Sequence, residues 1–435
     1  MYFFVGIKGA GMSALAAIMH DLGYKVMGSD VDKHFFTEKS LIDRNIKFFT
    51  YNEDNIKKDM IIIKGASIRD DHIEIQKAKE LNLEIITYEE MLGKLTREFK
   101  TICICGCHGK TTTTALMAKA IDNINYLIGD GTGYANSDND LFALESCEYK
   151  RHFLNYLPYY TVITNIDLDH VDYFKDINDV ISAYSEFASK TIKKVVAYGE
   201  DENIRKINID KEFVYYGIKD NDDVKAVNII YNKNGIEFDV YIYSEFYGHF
   251  NLPLYGNHQL LDALAVIAIC YLEQIDANIV QFNLSDFAGA RRRFSENIVE
   301  DSIIIDDYAH HPSEVKATID AVKQKYIDKK IVCILQPHTF SRTKEFASEF
   351  VRILNTVDAA YILDIHPARE KQEDYPDVTS DIIIDKLNNG YHITKDDATN
   401  LVKHKGSVYV FMDPNDISSL EQDLENKLKN NTNTL

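Results

Sequence analysis

One segment restricts the architecture of this chain more than any other: T-I-C-I-C-G-C-H-G-K-T-T-T-T at positions 101–114. A β-branched run enters Gly106, the chain turns through Gly109, Lys110 and Thr111, and Ala115, Leu116, Met117, Ala118 and Ala120 continue in a helical pattern. Strand, glycine loop and helix N-terminus are the parts of a phosphate cradle. The glycines let backbone N–H groups turn toward an anion. Lys110 supplies charge to β- and γ-phosphates, and the Thr111 hydroxyl suits magnesium. The loop departs from the general G-x-x-x-x-G-K-[ST] form in having Ile104 at the first glycine. A glycine turn beside a surface lysine is the bland alternative.

Short β-rich runs alternate with helical patterns over most of the chain, which predicts α/β units with parallel sheets. The chain has 435 residues, too many for one ordinary core. Three domains are expected, at 1–97, 98–297 and 298–435. The first carries strands at 2–5, 24–27, 60–64 and 84–87. The second carries strands at 101–105, 160–164 and 194–198, with an antiparallel insertion at about 225–250 around the turn signal Asn234-Gly235. The third carries strands at 302–306, 331–335, 359–364 and 408–412.

The net charge of −20 argues against nucleic acid or an anionic membrane as partner, although a few local cations suffice for phosphate substrates. No apolar run reaches 18 residues, and M-Y-F-F-V-G at the start lacks a basic flank, so neither a membrane span nor a signal peptide is expected. The six cysteines lack paired zinc spacing and read as free thiols of a cytoplasmic protein.

A second glycine turn follows the first strand. Gly9, Gly11 and Ala14 fit G-x-G-x-x-G/A, with Asp30 placed as a ribose-binding acid would be. The turn suits NAD, another nucleotide, a diphosphate or a purely structural role. Beyond the phosphate loop, Glu145 and Glu148, then Asp167, Asp169, His170 and Asp172, follow strand-like runs. Acids at such ends tend to face the ligand crevice, and Glu145 and His170 are candidate metal ligands. Solvated strand-end charge is the alternative for Glu148, Asp167 and Asp172. Further on, His258 opens a helix near Gln259 and Asp262, and Arg292 and Arg293 form a cationic patch suited to phosphate. Three polar clusters, 306–312, 336–342 and 364–370, follow three successive strands. Packing explains such repetition poorly, and convergence on one crevice explains it well.

Taken together these blocks resemble the Mur ligase family of peptidoglycan synthesis over nearly the whole chain. They are G-I-x-G-x-G-M-S (6–13), G-x-H-G-K-T-T-T-T (106–114), E-x-x-E (145–148), T-N-I-D-x-D-H (164–170), R-R-F (292–294), D-D-Y-A-H-H-P (306–312), Q-P-H (336–338) and D-I-x-P-A-R-E (364–370). The resemblance implies an α/β protein of three domains. A Rossmann-like N-terminal domain binds the UDP-substrate. A central P-loop ATPase domain has a parallel sheet plus an antiparallel insertion, and a C-terminal Rossmann-like domain closes over the site.

The activity implied is ATP-dependent joining of L-alanine to the carboxylate of UDP-N-acetylmuramate through an acyl-phosphate, with Mg2+, by a monomer or weak homodimer. The resemblance moves the first glycine turn from NAD to the UDP-sugar. It assigns Gly9, Gly11, Met12, Ser13, Asp30, Arg293, Tyr308, His310 and His338 to that substrate. ATP falls to Gly106, Cys107, His108, Gly109, Lys110, Thr111, Thr112 and His258, and the metal to Thr111, Glu145 and His170. Lys110, His170 and Arg342 are the implied catalytic residues. Some positions depart from the family pattern: Cys107 stands for threonine or alanine, Gln259 and Asp262 for asparagine, and M-D-P-N-D-I (412–417) for M-G-A-G-D-I. A sister ligase adding a peptide to the same sugar, a folate polyglutamyl ligase, a dehydrogenase using NAD, and a non-catalytic UDP-sugar-binding protein are the competing readings.

Overall fold

Three sheets follow one another along the chain in a computed structural model that describes residues 1–414 and 417–430. The first contains β1 (Tyr2–Val5), β2 (Val26–Asp30), β3 (Lys47–Thr50), β4 (Ile61–Lys64) and β5 (Glu84–Thr87), in the order β3-β2-β1-β4-β5 with every neighbouring pair parallel. Its central strands are apolar on both faces, as a sheet covered on both sides requires. Phe4 and Ile63 face the helix Ala10–Asp21, while Phe3, Val5 and Ile62 face the helix Ile73–Glu80.

The second sheet has ten strands: β6 (Lys100–Cys105), β7 (Ile124–Leu127), β8 (Gly133–Tyr134), β9 (Leu141–Glu145), β10 (Tyr160–Ile163), β11 (Lys194–Tyr198), β12 (Phe213–Gly217), β13 (Val224–Asn232), β14 (Gly235–Ile242) and β15 (Glu245–Leu252). The order is β15-β14-β13-β12-β11-β10-β6-β9-β7-β8, parallel from β12 to β7, with the antiparallel strands β13 to β15 at one edge. The helix Asn257–Leu272 is apolar around most of its circumference and is correspondingly buried against this sheet. The third sheet holds β16 (Ser295–Val299), β17 (Ser302–Asp307), β18 (Ile331–Leu335), β19 (Ala359–Ile362), β20 (Gly390–His392) and β21 (Val408–Met412), ordered β16-β17-β21-β18-β19-β20 and parallel except for β16.

The first two domains share one apolar core. It runs from Phe4 and Leu15 through Leu92 and Leu95 to Cys103, Phe142 and Phe153. The third domain keeps its apolar clusters to itself, and none of the buried clusters among the described residues joins it to the second sheet. Its attachment combines ion pairs, described below, with hydrogen bonds of Gln324, which accepts from the Gly256 N–H and donates to the Asn232 and Gly235 carbonyls. This is the construction expected of a body that moves against a fixed pair. No described helix is long and apolar enough to cross a membrane.

Several expectations shift. The strand expected at 24–27 enters the sheet later, at Val26, because Tyr24 packs edge-on against Tyr2 outside the ladder. The hairpin loop is Lys233-Asn234, and Gly235 is the first residue of β14, paired with Asn232. A side chain at Gly235 would strike the Leu252 carbonyl oxygen, and its φ of +134° is a glycine conformation. The boundary expected at 297/298 falls inside β16, whose pairing with β17 places 295–297 in the third sheet. Strands β3, β7, β8, β12, β16 and β20 had no counterpart in the sequence reading. Of the 412–417 turn, Asn415 and Asp416 lie outside the described residues.

Candidate active site

The phosphate loop leaves β6 through Gly106, φ +141°, where any side chain would collide with the Thr164 hydroxyl. It closes at Gly109, φ +84°, which caps the helix Lys110–Ala120 in a left-handed conformation. A Cβ there would meet Asp262 Oδ1 at 2.6 Å. The loop is braced from behind: His108 N–H donates to Asn165 Oδ1 (2.9 Å), and Asn165 Nδ2 and Thr164 Oγ1 donate to the His108 carbonyl. Lys110 Nζ lies over the loop, donating to the Gly106 and Cys107 carbonyls and pairing with the buried Glu148 carboxylate at 3.0 Å. Burial works against charge on both groups, but their mutual attraction prevails. Lys110 is held above its ordinary value and Glu148 below its own.

Two cavities meet at His108 and Gly109. One, of about 400 Å³, is lined by Thr112, Asn165, Tyr198, Asp201, His258, Gln259 and Asp262. Burial lowers His258 to about 4, so that its ring is uncharged at neutral pH, and raises Asp262 to about 7, so that its carboxyl is about half protonated there. The other, of about 530 Å³, lies between the three domains, and its wall comes from loops at carboxyl ends of strands in all three sheets. The first domain gives Ala10 and Phe36. The second gives Lys110, Thr111, Asp130, Glu145, Asp169 and His170, and the third Tyr308, His310, His338, Arg342 and Arg369. Arg291, Arg292 and Arg293 complete it, with the Arg291 guanidinium 3.7 Å from the Phe36 ring centroid.

Thr111, Glu145 and His170 line this larger cavity together. A hydroxyl and a carboxylate are hard oxygen donors, and His170 Nδ1 is buried without a hydrogen-bond partner. The set therefore fits a divalent cation of the magnesium type. Glu145 Oε2 is fixed by the Gly129 N–H at 2.8 Å. His170 has φ +50°, and its backbone N–H is held by Asp169 Oδ1 at 2.6 Å.

The third domain is tied down by charge. Arg342 Nη2 reaches Asp169 Oδ1 at 2.6 Å, and both side chains are buried. Arg369 grips Asp172 with two hydrogen bonds, of 2.7 and 2.6 Å. Ser313 donates to Asp167 Oδ2 (3.1 Å), and Glu314 Oε1 lies 3.3 Å from His108 Nδ1. Although burial opposes it, the Asp167 and Glu314 carboxylates raise His108 to about 9. Burial acts the other way on two histidines of the third domain: His338 falls to about 3, and His310 is also lowered. His310 Nδ1 faces two acceptors, the Tyr308 carbonyl at 3.0 Å and Glu314 at 3.3 Å, so its proton sits there and Nε2 carries the lone pair. Thr339, at φ +63°, is a strained β-branched residue; its side chain caps the helix Phe340–Leu354, which carries Arg342.

The structure brings the phosphate-loop residues, Glu145, His170, Arg293, Tyr308, His310, His338 and Arg342 to the two cavities, and His258 to the smaller one. It treats the first glycine turn differently. Met12 and Ser13 are buried, and Gly11 admits the Tyr88 ring, since a Cβ would sit 2.7 Å from Tyr88 Oη. Asp30 accepts the Lys8 and Val31 N–H groups within its own domain instead of facing the cleft. What this turn offers a ligand is the backbone N–H groups opening the helix Ala10–Asp21. Glu314 escaped the sequence reading, although its spacing from His311 is that of a capping box, which the structure contains. Asp169, Asp172 and Arg369 lay inside recognised blocks without an assigned role.

Comparison with known proteins agrees over the length of the chain. Residues 2–100 match the Mur ligase family catalytic domain, 104–270 the Mur ligase middle domain, and 292–413 the domain described as Mur ligase, glutamate ligase domain. A UDP-N-acetylmuramate--L-alanine ligase of Lactiplantibacillus plantarum is 45% identical over 434 residues, 99% of each chain. Among solved structures, the UDP-N-acetylmuramate-alanine ligase of Thermotoga maritima superposes with a TM-score of 0.80 at 25% identity, covering 99% of each chain. A murein peptide ligase of Psychrobacter arcticus gives a TM-score of 0.72 at 20% identity over 99% of this chain and 98% of that one, a likeness of fold.

Proposed function

This chain belongs to the Mur ligase family, and from that premise we propose that it joins L-alanine to the lactyl carboxylate of UDP-N-acetylmuramate at the expense of ATP, a step of peptidoglycan precursor synthesis. The observation that carries the reading is the position of Lys110. It lines the larger cavity with Thr111, Glu145 and His170, next in the chain to His108 and Gly109, where the two cavities meet. ATP phosphates on the loop from Gly106 to Thr112 would then lie between a base-and-ribose pocket containing His258 and a larger space for an acceptor. The sugar nucleotide occupies that space. Its diphosphate meets the N-terminus of the helix Ala10–Asp21 and Arg293, with Tyr308, His310 and His338 toward the reacting end. The substrates are small molecules, and we place the protein in the cytoplasm.

In the first step a carboxylate oxygen attacks the γ-phosphorus, the bond to the β-phosphate oxygen breaks, and ADP leaves an acyl-phosphate. The alanine amine then attacks the acyl carbon. The tetrahedral intermediate expels phosphate, and an amide bond remains. Lys110 neutralises the charge spread over the transferring phosphoryl group, which is most of what a protein can contribute to such a transfer. Mg2+ held by Thr111, Glu145 and His170 would supply further neutralisation. Alanine arrives as an ammonium ion and loses two protons on becoming an amide; we assign the first to His310 Nε2, the lone pair left open by the tautomer described above, and the second to the departing phosphate. The ion pairs of the third domain keep water from the acyl-phosphate, which hydrolysis would otherwise destroy.

The test is phosphate release from ATP and magnesium with UDP-N-acetylmuramate, with and without L-alanine. Release that needs both substrates, and a product heavier by one alanyl residue, is the expected result. Release with a tripeptide but not with alanine would move the chain to the sister ligases. No release with either would leave a binding protein.

A further inference from the structure

The loop after β10 carries a candidate metal ligand, His170, between two acids, Asp169 and Asp172, and each acid is held by a different arginine of the third domain. The two grips act on different parts of His170. Asp169 Oδ1 accepts both the His170 N–H and Arg342 Nη2, each at 2.6 Å, so that arginine fixes the left-handed backbone of His170. Asp172 Oδ2 accepts both Arg369 Nε (2.7 Å) and the Tyr149 hydroxyl (2.9 Å). The Arg369 guanidinium also lies over the Tyr149 ring, 4.6 Å from its centroid. Tyr149 in turn packs against the His170 imidazole at 4.8 Å. An arginine on one domain therefore clamps a tyrosine against the His170 ring, whose Nε2 lies 3.6 Å from Glu148 Oε1.

We propose that Arg369, Asp172 and Tyr149 are positioning residues that present the His170 imidazole to a divalent cation only while the third domain is docked. Stability does not account for the arrangement. The Arg369 side chain is 44% exposed, and ion pairs at that exposure add little to folding. A bidentate pair that also stacks on an aromatic ring fixes orientation instead. Groups that orient a metal-bound histidine from behind typically govern metal affinity about 10- to 100-fold. Closure and metal presentation are then one event, and the acyl-phosphate forms only in the shielded site. The ligase reading enters this inference only through what His170 binds.

The experiment titrates Mn2+, followed by the electron paramagnetic resonance of the free ion, into wild-type enzyme and the variants Arg369→Gln, Asp172→Asn and both together, in the presence of ADP. Each single variant should bind Mn2+ about tenfold more weakly, within the range cited for such groups. ADP affinity without metal and the circular dichroism spectrum should stay as in wild type. The double variant should be no worse than either single one, because both remove the same constraint. In a His170→Ala background, Arg369→Gln should have no further effect. Mn2+ affinity within twofold of wild type in both single variants, or losses that add in the double variant, would overturn the proposal. Alanine-dependent phosphate release by wild-type enzyme is scored separately. Its absence would sink the ligase reading while leaving the Mn2+ result to decide this one.

Discussion

Raising the pH should loosen the third domain from the phosphate loop, and His108 sets the window. Its ring lies between Asp167, 3.7 Å away in its own domain, and Glu314, 3.3 Å away in the third. Those carboxylates lift it from 6.5 to about 9. A histidine whose folded-state pKa exceeds its unfolded value lends stability that is complete below the unfolded value. That stability is lost as the pH rises through the folded one. The window is therefore about 6.5 to 9, and at roughly 1.36 kcal/mol per unit the loss is about 3 kcal/mol in all, of which the Asp167 share stays within the second domain and only the Glu314 share acts between domains. The same attraction seen from Asp167, which is held at about 2, is not a second contribution. For a domain of 150–250 residues, about 2–4 °C of melting temperature accompany each kcal/mol. Calorimetry of the nucleotide-free protein between pH 6.5 and 9.5 should show the melting of the third domain fall across that interval. His108→Asn should melt lower at pH 6.5 and show a much flatter pH dependence. Parallel pH curves for the two proteins would refute the assignment of the interdomain charge to His108.

Other consequences are as direct. Lys110→Met should lower alanine-dependent phosphate release by roughly a thousandfold or more, in line with loss of a principal charge-stabilising group; normal turnover would remove the phosphate-loop assignment. The same variant leaves the buried Glu148 with only the His170 ring, 3.6 Å away, and should cost up to about 3 kcal/mol in denaturant unfolding. Glu148→Gln added to it should recover part of that loss. Gly109→Ala should abolish ATP binding in calorimetric titration, because φ +84° and a Cβ 2.6 Å from Asp262 Oδ1 both disfavour a side chain there. Asp262→Asn should stabilise the protein increasingly from about pH 4 up to about 7 and by a constant amount above. An acid raised from 3.8 to about 7 by burial resists the charge that its unfolded form accepts, a penalty of about 4 kcal/mol at full ionisation.

What could be read along the chain was whatever a few consecutive residues determine. β1, β5, β11, β18 and β21 matched the expected bounds because each is a short apolar run with turn residues on both sides. The phosphate loop was legible because its glycine conformations, its lysine and its helix are all local. β3, with K-F-F-T largely exposed at the edge of its sheet, and the three-residue β20 carry too little apolar pattern to announce themselves. The first glycine turn was legible only in part. The spacing of Asp30 is that of a ribose-binding acid, and what the sequence did not reveal is that its carboxylate accepts the Lys8 and Val31 N–H groups. Nothing in the sequence reveals which of several acids in the 167–172 loop faces a cation from a partner 173 or 197 positions away.

Those distant pairings explain why the site is divided among three bodies. A phosphate loop fused by a common core to the first domain gives a rigid seat, since Leu92, Leu95, Cys103 and Phe142 are buried in one close-packed cluster. The acyl-phosphate, however, must be reached by an amine and kept from water, and no rigid seat does both. A third domain attached by ion pairs and hydrogen bonds solves this, because such contacts separate into solvent at modest cost while a shared apolar core would not. The buried Arg342–Asp169 pair is the exception that gives the closed state its definition. Opening leaves both ions to rehydrate; partial closure leaves them desolvated and unpaired, and so it is disfavoured. The domain is thus biased toward fully open or fully closed, and the closed position is the one in which Asp169 also holds His170.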